Sequence, residues 1–351
     1  MNLIKAFVLS AAIFFCCIFL AGTANAQTVL PQRAEDRALY IDQLFVVGMR
    51  GTRYTAKNDF GNLLKTTNVG GVILFDYDSL TKKYTRNIVS KKQIAALSKD
   101  LQKNAKTKLF IAIDEEGGAV NRLKKRYGFA PIPSAKVLGT KKPLVIEKES
   151  ARLAKDLKSV GININFAPSV DVDINPKSPA IGMYGRSFSA DPAIVIQSAR
   201  AFIKGHRGQN IITAIKHYPG HGSSTKDSHI GFVDITKTYS DTELLPFIDL
   251  IKTNDAGMVM SAHVIDTDID PVHPASLSSI FIDTKLRGEL GYAGVVITDD
   301  LDMGAITDSY SFDQKIIRAI QAGNDMLILS NNIKTYDKDV VIKARSARSE
   351  E

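Results

Sequence analysis

The chain has 351 residues, 44% of them hydrophobic, with 45 Lys and Arg against 37 Asp and Glu and a net charge of +8. That is enough apolar material for one large α/β domain or two smaller ones. The basic residues are spread along the chain, as over residues 82–92 and 334–343, and aromatic residues do not interleave with them. The charge therefore reads as a solvated surface first, with attraction to anionic polymers such as cell-wall material second, and nucleic acid is excluded as a partner.

The chain opens with Lys5 in a short basic segment, an apolar run over residues 6–20, and the small-residue pattern Ala24-Asn25-Ala26. These are the parts of a secretory signal peptide, so residues 1–26 are expected to be cleaved after Ala26 and the remainder to work in the periplasm or outside the cell. An uncleaved anchor is the alternative, against which stands the short apolar run. Cys16 and Cys17 both lie in this leader. The rest of the chain therefore has no disulfide framework and no thiol chemistry. No later apolar run is long enough for a span, so no stable membrane insertion is expected after cleavage, and a monomer is expected.

In chain order, helical spacing of apolar residues predicts helices over 36–44, 60–66, 94–103, 144–160, 193–205, 242–253, 280–290 and 312–322. Between them lie apolar runs at 44–48, 69–75, 109–114, 163–168, 211–215, 256–263, 294–299 and 325–329. The runs are continuous and do not alternate, as in strands buried on both faces of a parallel sheet. Eight strand–helix units over residues 27–351 predict a single α/β domain, a (β/α)8 barrel. A doubly wound open sheet is the competing topology, but it usually has fewer strands and a Gly-rich turn after the first.

A barrel gathers its chemistry at the C-terminal ends of its strands. Asp114 ends the third run, Lys216 and His217 the fifth, His263 the sixth and Asp299 the seventh. The fifth run leads into Lys216-His217-Tyr218-Pro219-Gly220-His221-Gly222 and then Asp227-Ser228-His229, so three of the six histidines fall within residues 217–229. Four readings are open for this stretch: a solvated loop, a metal site built on His217, His221 and His229, a phosphate grip, and a catalytic loop. The metal reading lacks a helical His pair and a nearby Cys. The phosphate reading lacks glycines leading into a helix. In the catalytic reading Asp227 orients His229 and raises its basicity. No P-loop and no dinucleotide turn is present, so no cofactor is called for. Carboxylates, imidazoles, lysine and arginine suit hydrolysis of a neutral polar substrate such as a sugar.

The stretch from Lys216 to Gly222 with Asp227-Ser228-His229, together with Ile297-Thr298-Asp299-Asp300-Leu301-Asp302-Met303, resembles the signatures of family 3 glycoside hydrolases, in the branch of NagZ-type β-N-acetylhexosaminidases. Asp114-Glu115-Glu116-Gly117-Gly118, Tyr184-Gly185-Arg186-Ser187-Phe188 and Pro274-Ala275-Ser276-Leu277-Ser278 fit the same family. The resemblance implies a retaining enzyme that cleaves terminal β-linked N-acetylglucosamine from cell-wall or chitin fragments without a metal. It implies Asp299 as nucleophile and His229 as acid/base held by Asp227. Asp114 would grip sugar hydroxyls, helped by Arg122, Arg186, Lys216 and His217.

The resemblance has departures. Ala119 stands where many relatives carry Arg, though Arg122 remains. The tail after Asn332 is short, which leaves two readings open: a truncated chain, or residues 340–347 as an abbreviated last helix. A β-glucosidase, a phosphorylase of the same family and an inactive glycan-binding protein are the rival functions. Of the flanking residues, Asp300 is expected to point away from Asp299, His263 is open between site and rim, and His221 is expected to shape the loop.

Overall fold

The computed structural model describes residues 40–332 and 337–349. The proposed leader, residues 1–26, lies outside the described residues, as do residues 36–39 of the first predicted helix. Its described remainder ends in a single 3₁₀ turn, Asp42–Leu44.

Eight parallel strands close on themselves in chain order, β1 Phe45–Gly48, β2 Gly71–Ile73, β3 Phe110–Ile113, β4 Ile164–Asn165, β5 Ile212–Tyr218, β6 Met258–Ser261, β7 Val295–Asp300 and β8 Met326–Leu329. β8 pairs with β1, Phe45 opposite Leu327, so no sheet edge remains and the open-sheet alternative falls. The outer helices are α1 Asp59–Thr66, α2 Lys91–Asn104, α3 Pro143–Ser159, α4 Pro192–Arg207, α5 Leu245–Lys252, α6 Ile280–Glu289, α7 Phe312–Gln321 and α8 Val340–Ser349. Their starts carry local signals. Asn58 and Ser90 accept from the third residue on, at 3.1 and 3.2 Å, and Pro143 and Pro192 occupy first-turn positions. α6 is wound as a π-helix.

Two apolar layers follow from the period of two along each strand. Val46, Ile73, Ala112, Ile164, Ala214, Met260, Ile297 and Ile328 fill the barrel lumen. The alternate residues, such as Val47, Val72, Ile111, Ile215, Val259 and Leu327, pack outward against the helices. The tail covers β8 and β1. Val340, Val341 and Ala344 of α8 join the same apolar cluster as Leu327 and Leu329, and Arg345 forks onto the buried Asp42. Among the described residues no helix is long and apolar enough to cross a membrane.

Most strands are shorter than their apolar runs, because the runs continue into loops buried above or below the ladder. β7 equals its run in length, shifted by one residue to Asp300, and β5 outruns its own. β5 extends three residues past Ile215, because its ladder shifts register there and resumes at Tyr218 opposite Ser261. The peptide bonds Lys216–His217 and Tyr218–Pro219 are cis.

Candidate active site

The cavity opens at the C-terminal mouth of the barrel. Its floor is the top of the lumen, Ile73, Met260 and Ile328, and its wall is charged. Lys216 is the centre of that wall. Its side chain is 3% exposed, and Nζ lies 2.9 Å from Asp114 Oδ1 and 2.7 Å from Glu116 Oε1. Burial pulls its pKa down, but Asp114 and Glu116 outweigh that and hold it above the usual lysine value.

Arg186 completes the pairing. Nε and Nη2 donate to the two oxygens of Glu116 at 2.9 and 2.7 Å, and Nη2 also meets His217 Nε2 at 3.0 Å. A guanidinium only donates, so His217 Nε2 accepts, and Nδ1–H donates to Asp171 Oδ2 at 2.6 Å. Burial pushes Glu116 up, yet Arg186 and Lys216 hold it well below the usual carboxylate range. Asp171 is lowered likewise, by His217 first, against its burial. Arg122 stands looser, with Nη2 3.9 Å from Asp114 Oδ2 and the guanidinium carbon 5.8 Å from the centre of the Phe75 ring.

Asp299 closes the far side. Burial alone would raise its pKa. The surrounding imidazoles of His217, His263 and His229 and the Lys216 ammonium outweigh that and hold it well below the usual range. It is therefore an anion across the working pH range. Asp300 does a different job. Its Oδ1 accepts from the N–H groups of Ser330 at 2.8 Å and Asp302 at 3.1 Å, tying β7 to the end of β8. Burial, with the nearby Asp302, pushes its pKa up to about 7. His263 is a rim residue, buried, with Nε2–H donating to Asp300 O at 2.9 Å and Nδ1 2.7 Å from Ser276 Oγ. Burial lowers its pKa.

His229 reaches the cavity from the loop after β5, with 66% of its side chain exposed. Nδ1–H donates to Asp227 Oδ1 at 2.8 Å, and the same oxygen accepts the His229 N–H at 2.9 Å. Partial desolvation works against its charge, but the Asp227 hydrogen bond and the charge of Asp299 raise its pKa above 6.5. Nε2 is left for other partners. The loop is built from its root. Asp171 Oδ1 accepts the N–H of His217 at 3.2 Å and of His221 at 2.8 Å. Glu243 accepts the N–H of Gly222 and Ser223 at 2.8 and 3.1 Å. A Cβ at residue 222 would lie 1.7 Å from Val172 O, and Gly220 holds a φ of +143°, so both positions require glycine. His221 braces the loop, with Nε2 3.1 Å from Ser228 Oγ and Nδ1 2.5 Å from Ser224 Oγ, and burial drives its pKa down to about 4.

Every predicted site residue that faces substrate in the resemblance (Asp114, Arg122, Arg186, Lys216, His217, His229 and Asp299) lines this one cavity, and Asp227 stands behind His229. Of the three clustered histidines, His217 and His229 line the cavity, and the His221 ring meets His217 edge to face at 5.8 Å. Each holds a different partner, and among the described residues no group of three or more His, Cys, Asp or Glu is set to hold a metal. Sequence reasoning passed over Glu116 and Asp171. Glu116 was within reach, since it follows Asp114 by two and so shares its face. Asp171 sits in an irregular loop with no periodic signal.

The inner cavity measures about 120 Å³ and widens into a groove of about 630 Å³, the two sharing Phe75, Arg122, His229, Asp300 and Met303. Residues 39–348 match the Glycosyl hydrolase family 3 N terminal domain. Beta-hexosaminidase A of Pseudoalteromonas piscicida is 33% identical over 302 residues, covering 80% of this chain. This chain spans 49% of that relative's length. Beta-hexosaminidase of Idiomarina loihiensis is 36% identical over 310 residues, covering 84% of this chain and 87% of the relative. Among solved structures, a glycoside hydrolase family 3 β-N-acetylglucosaminidase from Paenibacillus sp. str. FPU-7 superposes with a TM-score of 0.79 at 33% identity, covering 88% of this chain and 57% of that one.

Proposed function

Because this chain belongs to glycoside hydrolase family 3, we propose that it is an exported, retaining β-N-acetylglucosaminidase acting on terminal β-linked N-acetylglucosamine of peptidoglycan or chitin fragments. The observation that carries this reading is that His229, hydrogen-bonded to Asp227 behind it, lines the same cavity as the ionised Asp299. The names of its relatives support the sugar, and the leader over residues 1–26 supports export.

In the first step an Asp299 oxygen bonds to the anomeric carbon and the bond from that carbon to the leaving oxygen breaks. Protonated His229 passes its Nε2 proton to that oxygen while Nδ1–H stays on Asp227. In the second step a water oxygen attacks the same carbon, its proton returns to Nε2, and the bond to Asp299 breaks. Two inversions give net retention. An imidazole acid is neutral once spent, so it adds no second negative charge beside Asp299. Asp114, Arg122, Arg186 and Lys216 supply hydrogen bonds to ring hydroxyls and the acetamido group.

The test is hydrolysis of a chromogenic β-N-acetylglucosaminide by the parent, Asp299→Ala and His229→Ala. Loss of at least about 10³-fold in Asp299→Ala is expected. Parental turnover in that variant would overturn the mechanism. No turnover by a well-folded parent would favour a glycan-binding protein. A neutral spent acid also tolerates phosphate as the second-step acceptor. Sugar 1-phosphate formed in phosphate buffer, and not in a zwitterionic one, would identify a phosphorylase.

A further inference from the structure

Asp114 and Glu116 face the cavity from a segment past the end of the β3–β4 ladder. Backbone pairing there closes with Ile113 opposite Asn165, and the Phe166 N–H donates to Ile113 O at 2.8 Å. The next peptide groups of β3 are met by a side chain. Asn165 Oδ1 accepts the Glu115 N–H at 2.9 Å, and Asn165 Nδ2 donates to Glu115 O at 2.9 Å. A carboxamide carries the same donor and acceptor as a peptide unit, so Asn165 adds one further rung to the ladder.

Around that rung Asp114 and Glu116 line the cavity and Glu115 does not. With Ala112 in the lumen, the period of two turns Asp114 and Glu116 toward the cavity and Glu115 outward. The outward Glu115 carboxylate then accepts the N–H of Arg122 at 2.6 Å and of Leu123 at 2.8 Å. One residue, Glu115, thus sets two carboxylates on one side and the start of the Arg122 segment on the other.

Asn165 is itself oriented from the helix layer. It is fully buried on the outer face of the barrel, and its second amide hydrogen points at His206 Nε2, 3.0 Å away on α4. His206 is also fully buried, stacked on Phe202 at 4.5 Å, with Nδ1 2.7 Å from Ser150 Oγ and 3.2 Å from Phe202 O. Ser150 Oγ gives its hydrogen to Phe202 O, so Nδ1–H is directed at Ser150 Oγ on α3 and Phe202 O on α4, and Nε2 is the acceptor, which fixes which end of the Asn165 amide meets it.

We propose that Asn165, oriented by His206, is a positioning residue for sugar binding, holding the Glu115 peptide so that Asp114 and Arg122 meet the ring. The sugar contact itself rests on the function proposed above; the clamp on Glu115 does not. Asn165→Ser removes the rung with little added bulk, and His206→Gln keeps an acceptor toward Asn165. Asn165→Ser should raise KM about tenfold while kcat stays within about threefold, and should speed amide exchange over residues 110–123 beyond the rest of the barrel. His206→Gln should stay near the parent in both. Parental KM with parental exchange over 110–123 would overturn the proposal, as would a uniform loss of protection with parental KM. The exchange measurement needs no substrate. If the parent proved not to be a glycosidase, local exchange alone would still decide whether Asn165 holds this segment.

Discussion

Arg186 grips Glu116 through two parallel hydrogen bonds, Nε to Oε2 at 2.9 Å and Nη2 to Oε1 at 2.7 Å. The side chains are 10% and 4% exposed, so each charge depends on the other for solvation. Lysine cannot form a fork and would also lose the contact to His217. Arg186→Lys should cost about 3 kcal/mol of stability and more than about tenfold in kcat/KM, read by denaturant unfolding and by turnover. A variant matching the parent in both would show that the fork is dispensable.

The pH profile should report His229. The acid must carry its proton in the first step, so kcat/KM should fall on the alkaline side as His229 deprotonates. Asp227 and Asp299 raise that pKa and extend the active range upward. In Asp227→Asn the hydrogen-bonded carboxylate is gone, and the alkaline limb should move to lower pH. Asp299 stays ionised throughout, so the acid limb should hardly move.

Asp299 and Asp300 are adjacent, and substitution should separate their roles. Asp300 accepts from the backbone of Ser330 and Asp302 through one oxygen, which Asn can reproduce. Asp300→Asn should retain activity within about tenfold of the parent, whereas Asp299→Asn should be nearly inactive. The reverse order would reassign the nucleophile.

His206 makes a stability prediction. Burial lowers its pKa to about 4 from 6.5. The unfolded chain therefore binds a proton that the native one refuses between these values. The stability this group contributes is full above pH 6.5 and is lost as pH falls toward 4. His206→Gln should flatten that part of the melting-temperature profile relative to the parent. Two profiles that remain parallel between pH 6.5 and 4 would mean that His206 is not the source.

Much of the site was legible because strand ends announce themselves. Apolar runs that stop at Asp114, Lys216, His263 and Asp299 place polar groups on one face of a barrel. The Asp227-Ser228-His229 spacing is short enough for the loop itself to make the hydrogen bond seen at 2.8 Å. His263 was readable only as polar and terminal. The partners that make it a rim residue, Ser276 and the Asp300 carbonyl, come from other elements.

What the sequence alone determined is the alternation of eight strands with helices and the placing of titratable groups at strand ends. Burial imposes periodicity on short segments, and that periodicity is local. Which charge meets which was decided only when the barrel closed. Asp171 and His217 are 46 residues apart, Glu116 and Arg186 70, and Asp114 and Lys216 102. Asn165, an unremarkable strand residue in the sequence, meets the Glu115 backbone 50 positions away. No local pattern encodes these pairs. They exist because closure of the sheet carries the ends of β3, β4, β5 and β7 to one mouth, where buried charges must find partners.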